Sequence, residues 1–396
     1  MHARYLKWLL AFYCLSLVPA ALLNILLIAH TSNVQQRSVE ASAWQRRTHG
    51  ITFTPTSGNN GLFKSLRLND RLAEIDTVVF GSSTVMPIDS GMLPINWHLY
   101  NFSQSGHPLI ASIGEAEYLA EHAPHIRHYL IALDWALGFP YEAGTPIPAD
   151  LSAAAIREAS QTPDTAIAPL ALLRDALSYP RMEQLGKILK EALKSSRPGK
   201  TFREYFLQQS SDEYVCADST PGRDFDIVDR GTCNGFRHDG SATFSSYSRV
   251  TNAGQLLMAE TASNSKYVHN LLKTSGRLNP LLLDRLASLN AKLKGRGGDL
   301  ILLMPPLLPG FEQALLHHPQ YRAYLLTTKD AFAEWAQRER IALFDSGQSE
   351  QYGCTSGEFL DIHHATASCY RKVFTAFWQN DRGPDGMLSL QPGLTH

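Results

Sequence analysis

Three short segments of the chain hold the residue types that acyl transfer to and from an oxygen requires. These are a nucleophile, N–H donors for a developing oxyanion, and a base with a carboxylate to orient it. Phe80-Gly81-Ser82-Ser83-Thr84 presents a hydroxyl on a glycine-containing turn beside exposed backbone N–H groups. Asn101-Phe102-Ser103-Gln104-Ser105-Gly106-His107 offers Gly106, where a backbone N–H can approach a ligand oxygen closely. Phe359-Leu360-Asp361-Ile362-His363-His364 sets Asp361 three positions before His364, so that a short bend aims the carboxylate at the imidazole, with His363 as the adjacent alternative. Each segment also has an ordinary explanation. Ser82 and Ser83 suit a strand-end turn or a helix N-cap, Asp361 suits the cap of a helix beginning near Ala365, and the histidines suit a polar surface.

Residues 75–80, 98–102, 129–133, 300–304 and 341–344 are short apolar runs that end at turn residues, the pattern of buried strands. Residues 111–122, 281–293 and 323–337 have helical spacing. The alternation predicts an α/β fold, a parallel sheet flanked by helices on both faces. The three chemical segments then follow strands, and open parallel sheets place their sites at the carboxyl ends of strands. Residues 71–140 and 266–380 form this α/β domain. Residues 31–70 are polar and read as a linker, 141–265 as a helical and loop insertion, and 381–396 as a tail. Within the insertion, residues 216–249 read as an ordered loop over the sheet.

The Gly-x-Ser turn after the first strand, the glycine after the second and the Asp-x-x-His near the end, in that order, resemble the SGNH or GDSL-type hydrolase superfamily. The resemblance implies a flavodoxin-like three-layer fold with Ser83 as nucleophile, Ser83 and Gly106 as oxyanion hole, His364 as base and Asp361 as its orienting carboxylate. Gly81-Ser82-Ser83 replaces the usual Gly-Asp-Ser. That change also occurs in membrane-anchored SGNH-like proteins of cell-surface polymer modification, those of alginate acetylation and teichoic acid D-alanylation. Met304-Pro305-Pro306 is similar to the pocket-wall segment of the same proteins. The resemblance therefore implies a serine esterase or O-acyltransferase acting on an acyl group, acetyl first, of a cell-surface or exported polysaccharide. Its partners would be that polymer or its acyl donor and a polytopic membrane acyltransferase. The alternative is an inactive scaffold or polysaccharide-binding component of a membrane-bound export or modification complex. One departure stands out. Where most members have an oxyanion-donating asparagine after the third strand, this chain has Leu133-Asp134-Trp135. An ionised Asp134 would repel the oxyanion, so it is protonated, binds something else, or marks altered chemistry.

Composition narrows the setting. With 44% apolar and 18% charged residues over 396 positions, the chain fills a core, and 36 basic against 37 acidic residues leave no field to gather nucleic acid. Residues 8–29 (WLLAFYCLSLVPAALLNILLIA) carry no charge and match the bilayer core in length, which predicts one N-terminal transmembrane helix. Taken with the resemblance, this implies a single-pass protein of a bacterial inner membrane with its soluble domain in the periplasm. Cys216, Cys233, Cys354 and Cys369 form two sequence-local pairs, Cys216 with Cys233 and Cys354 with Cys369, that suit disulfides in an oxidising compartment, with reduced thiols as the alternative. His122, His125 and His128 have a spacing that could face a metal, but no cysteine or carboxylate completes a site, and we expect neither metal nor cofactor. Arg237-His238-Asp239-Gly240-Ser241 suits a turn stabilised by its aspartate, with Arg237 and His238 as secondary candidates for reaching over the pocket beside Asp134 and His363.

Overall fold

The computed structural model describes residues 38–52, 60–133, 234–244, 247–262, 278–317 and 319–380, with 7–8, 17–26, 213–216, 219–223 and isolated positions between 173 and 194. The strands among these residues are β1 (Ile51–Thr52), β2 (Thr77–Phe80), β3 (Leu99–Asn101), β4 (His128–Ala132), β5 (Glu213–Val215), β6 (Pro221–Arg223), β7 (Gly235–Phe236), β8 (Ala242–Thr243), β9 (Asp299–Met304) and β10 (Ala342–Asp345). The helices used below are α1 (Gly61–Arg71), α2 (Leu109–His122), α3 (Ala253–Thr261), α4 (Pro280–Lys294), α5 (Phe311–Leu316), α6 (Pro319–Arg338) and α7 (Ala367–Asn380).

The main sheet has the order β10-β9-β4-β2-β3 and is parallel throughout. Its strands are apolar on both sides, as a sheet covered by helices demands. In β2 the side chains of Val78 and Phe80 enter one core with Tyr100, Tyr129 and Leu302, while Val79 enters the other with Leu130, Ile301 and Leu303. The first core is closed by α2, α4 and α6. Helix α4 starts with the Asn279 side chain accepting from Leu281 N–H at 3.0 Å and with Pro280 at its first position, and it buries Leu282, Leu286, Leu289 and Leu293 along one stripe. The second core is closed by α5 and by α7, which contributes Tyr370, Val373, Phe374 and Phe377. Successive strands run from β2 outward to β3, then return to β4 on the opposite side of β2. The order of strands thus reverses between β2 and β4, the place where open α/β sheets leave a crevice at the strands' carboxyl ends.

A second, mixed sheet of order β5-β6-β1-β7-β8 lies beyond the edge strand β3. The turn of its β7–β8 hairpin docks on that edge. Asn101 N–H donates to Asp239 O at 2.7 Å, and the fully buried Lys64 ammonium donates to Asn101 O at 2.6 Å and to Gly240 O. The hairpin therefore covers an edge that would otherwise be open to pairing. Burial drives Lys64 well below its ordinary range and nearby Asp239 pulls it back, while the Phe236 ring lies 4.1 Å from the ammonium.

Several sequence expectations change here. Residues 38–48 are helical, and with β1 and α1 they bury Trp44, Ile51, Phe63 and Leu68, so much of the segment read as a 31–70 linker belongs to the folded body. Within 216–249, the hairpin is a sheet element against the edge of the main sheet, not a loop over it. Among the described residues no helix is long and apolar enough to cross a membrane. The apolar run 8–29 is described only at Trp8 and 17–26, where Asn24 is buried and donates to Ala176 O at 2.7 Å. Cys354 and Cys369 form a disulfide, and Cys216 is disulfide-bonded as well. Cys233, Asp134 and the 381–396 tail lie outside the described residues.

Candidate active site

The site begins where β2 stops. Gly81 has φ +151, and a Cβ there would stand 2.6 Å from Ala132 Cβ at the end of β4 and 2.7 Å from Val85 Cγ2. Only glycine lets the chain leave the sheet this close to its neighbour. Ser82 then caps a single 3₁₀ turn over Ser83–Val85, its hydroxyl accepting from Thr84 N–H at 3.3 Å. Of the two serines, Ser82 takes the capping role and is buried, which leaves Ser83 half-buried and facing outward.

The partner of Ser83 arrives from the other end of the chain. Ser83 Oγ lies 2.8 Å from His364 Nε2, and His364 Nδ1 lies 2.7 Å from Asp361 Oδ2. A neutral imidazole that donates its Nδ1–H to the carboxylate presents Nε2 as an acceptor for the serine proton, the polarity a general base needs. The bend that holds this pair is over-determined. Asp361 Oδ1 accepts from His363 N–H at 2.9 Å and His364 N–H at 2.8 Å, Leu360 N–H donates to His364 O at 2.9 Å, and Phe359 bridges Ala365. Leu308 N–H on Ile362 O and Val250 N–H on Phe359 O tie the bend to its surroundings. Burial raises the Asp361 carboxyl, but the His364 hydrogen bond, the two imidazoles and the His363 N–H outweigh it and hold the carboxyl far below the usual range.

Asn101, the last residue of β3, organises the loops around Ser83. Its Nδ2 donates to Val85 O and Ile88 O, both at 2.9 Å, and its Oδ1 accepts from Ser103 N–H at 3.0 Å and Ser103 Oγ at 2.5 Å. One buried amide thus fixes both the Ser83 turn and the turn that carries Gly106. Tyr370 Oη donates to Thr84 O at 2.9 Å and anchors the Ser83 turn to α7. The N–H groups of Ser83 and Gly106 have no acceptor among the described residues, and Gly106 has φ +63 with open space where a side chain would stand. Two free donors on the two loops are what an oxyanion site requires. Asn101 and Tyr370 were not singled out by sequence reading. The signal available for Asn101 was its place at a strand end two positions before a serine, a common turn-forming arrangement.

The remaining candidates are placed as follows. The His363 ring lies tilted by 41° against that of His364, with centroids 4.2 Å apart, and is half-exposed. Asp361, His363 and His364 offer ligand atoms within 4.8 Å of one another, but Ser83 and Asp361 already occupy both nitrogens of His364, so a metal would displace the hydrogen bonds just described. His238 stacks on His49 at 3.8 Å and accepts from Arg67 at 3.3 Å; burial followed by the charges of Arg71, His49 and Arg67 lowers it to about 4. Arg237 sits in the same hairpin turn, where Asp239 Oδ1 accepts from Ser241 N–H at 3.0 Å, and that turn lies on the β3 edge. His122, His125 and His128 each address a different group, respectively Tyr118 O, Leu72 O and Asp299. Comparison with protein-family models, curated proteins and solved structures gives no match to this chain.

Proposed function

We propose that the protein is an SGNH-like serine enzyme that removes or transfers an acyl group, acetyl first, on an oxygen of a cell-surface or exported polysaccharide. The observation that carries this reading is the continuous hydrogen-bonded line from Ser83 Oγ through His364 to Asp361, at 2.8 and 2.7 Å, at the strand-order reversal of a parallel sheet. Ser83 Oγ bonds to the acyl carbon as His364 Nε2 takes the serine proton. The tetrahedral oxyanion rests on the Ser83 and Gly106 N–H groups, and its collapse breaks the acyl C–O bond while His364 returns the proton to the departing oxygen. Water or a sugar hydroxyl then attacks the acyl-serine, giving up its proton to His364, which passes it to Ser83. Water makes the enzyme an esterase, and a sugar hydroxyl makes it a transferase.

The polymer and the membrane setting come from the sequence. The uncharged run 8–29 would anchor the protein in a bacterial inner membrane, with its folded part in the periplasm beside a polytopic acyl-donor protein. The disulfide at Cys354–Cys369 supports an oxidising compartment. The test uses the full chain in detergent with 4-nitrophenyl acetate, followed by intact mass. Turnover and a transient acetyl adduct are expected, and Ser83→Ala should lose the adduct and lower turnover by ~10⁴-fold or more. A wild-type protein with neither turnover nor adduct would sink the reading.

A further inference from the structure

The turn that carries Gly106 is firmly held at its base and bare at its tip. Ser103 is fixed by Asn101, and Gln104 N–H donates to Gly81 O at 2.9 Å. Ser105 and Gly106 are exposed and make no hydrogen bond among the described residues, and the bond that closes the tip, His107 N–H to Gln104 O, is long at 3.4 Å. What braces the tip comes from below. The side chains on its two flanks reach the same carboxylate: Gln104 Nε2 donates to Glu115 Oε1 at 3.1 Å, and His107 Nε2 lies 2.9 Å from Glu115 Oε2.

Glu115 is an improbable residue for its position. It lies on α2 between Ile113, Ala116 and Leu119, all in the core, and is itself 1% exposed. No lysine or arginine pairs with it among the described residues, and burial pushes its carboxyl up while His107 and Gln104 draw it back. An apolar side chain there would pack without the cost of taking a carboxylate out of water. Among the described residues the acid's side-chain hydrogen bonds all run to the turn beside Ser83.

We propose that Glu115 is a positioning residue for the oxyanion site, gripping both flanks of the 104–107 turn so that the Gly106 N–H is held where the oxyanion forms. The inference rests on the catalytic reading of Ser83 given above. Misplacing a reacting group by 1 Å costs about 10²-fold in rate, and losing one oxyanion donor costs about 10²–10³-fold in kcat. The grip is therefore visible in kcat, while substrate binding away from the oxyanion is not touched.

The test is full-chain kinetics on 4-nitrophenyl acetate with Glu115→Met, Glu115→Gln and His107→Ala, each with its melting temperature. Glu115→Met keeps the length and removes both hydrogen bonds. It is expected to lower kcat ~30–100-fold with KM within about twofold, while any fall in melting temperature from the unpaired Gln104 amide leaves the protein folded at the assay temperature. Glu115→Gln, which can still meet both Gln104 and His107, is expected to recover most of the kcat. His107→Ala removes one flank from the surface side, so it reports on the turn even if the core variants fold poorly, and it is expected to fall between the two. Wild-type turnover with Glu115→Met and His107→Ala both within about threefold of it in kcat overturns this inference alone. Equal losses in Glu115→Gln and Glu115→Met that follow their melting temperatures also overturn it, because they assign the residue to stability. Absence of turnover and of a Ser83 adduct in the wild type overturns the catalytic reading and this inference with it.

Discussion

At the scale of single residues, the charge on Asp361 is the most consequential electrostatic feature of the site. Its carboxyl titrates well below its unfolded value of about 4, so it contributes stability that is complete above that pH and is lost as pH falls through the depressed folded value. Asp361→Asn removes that contribution. The urea midpoints of wild type and variant are expected to differ at pH 7 and to converge as the pH falls below about 4. A gap that stays constant through the acid range would show that the carboxylate's charge is not what stabilises the bend. The residues of this bend were legible in sequence because Asp-x-x-His needs only local geometry to close. Lys64, Arg67 and Glu115 were not. A charged residue in a helical pattern reads as solvent-facing, and these three are buried with partners outside their own helix: Asn101 and Gly240 for Lys64, Gln45 and His238 in addition to the local Asp70 for Arg67, Gln104 and His107 for Glu115.

At the scale of elements, the exit of β2 is the tightest point of the site. Gly81→Ala would put a methyl group 2.6 Å from Ala132 Cβ at a φ that side chains rarely adopt. A loss of about 2–6 kcal/mol is expected from the urea unfolding curve, from backbone strain of ~1–3 kcal/mol and overpacking of similar size. A loss under about 0.5 kcal/mol would mean that the β2 and β4 ends part easily. Most strands of the main sheet stood out in the sequence because they are four- to six-residue, largely apolar runs buried on both faces, as in Thr77–Phe80 and Asp299–Met304. The second sheet did not stand out. Ile51–Thr52, Gly235–Phe236 and Ala242–Thr243 are two residues each, too short for any period, and the first finds its partners Gly222, Arg223 and Phe236 some 170–190 positions away. Their existence depends on tertiary contacts that no local pattern announces.

At the scale of the whole molecule, the Cys354–Cys369 disulfide ties the segment entering the Asp361–His364 bend to the start of α7, across 15 positions. Cross-linking a loop of that length stabilises by ~3 kcal/mol in the chain-entropy model. The Cys354→Ser, Cys369→Ser double variant is expected to melt several degrees lower, and an unchanged melting temperature would show that packing around Tyr370 and Phe374 holds the bend unaided. The line from Ser83 to His364 joins positions 281 apart. A ribosome makes Ser83 long before His364, and the bend carrying His364 packs against α7, made later still. On the proposed catalytic reading, every form of the chain truncated before that point carries a serine without its proton acceptor. Labelling of Ser83 by an acyl ester would then be a clock for folding, running only once α7 has docked.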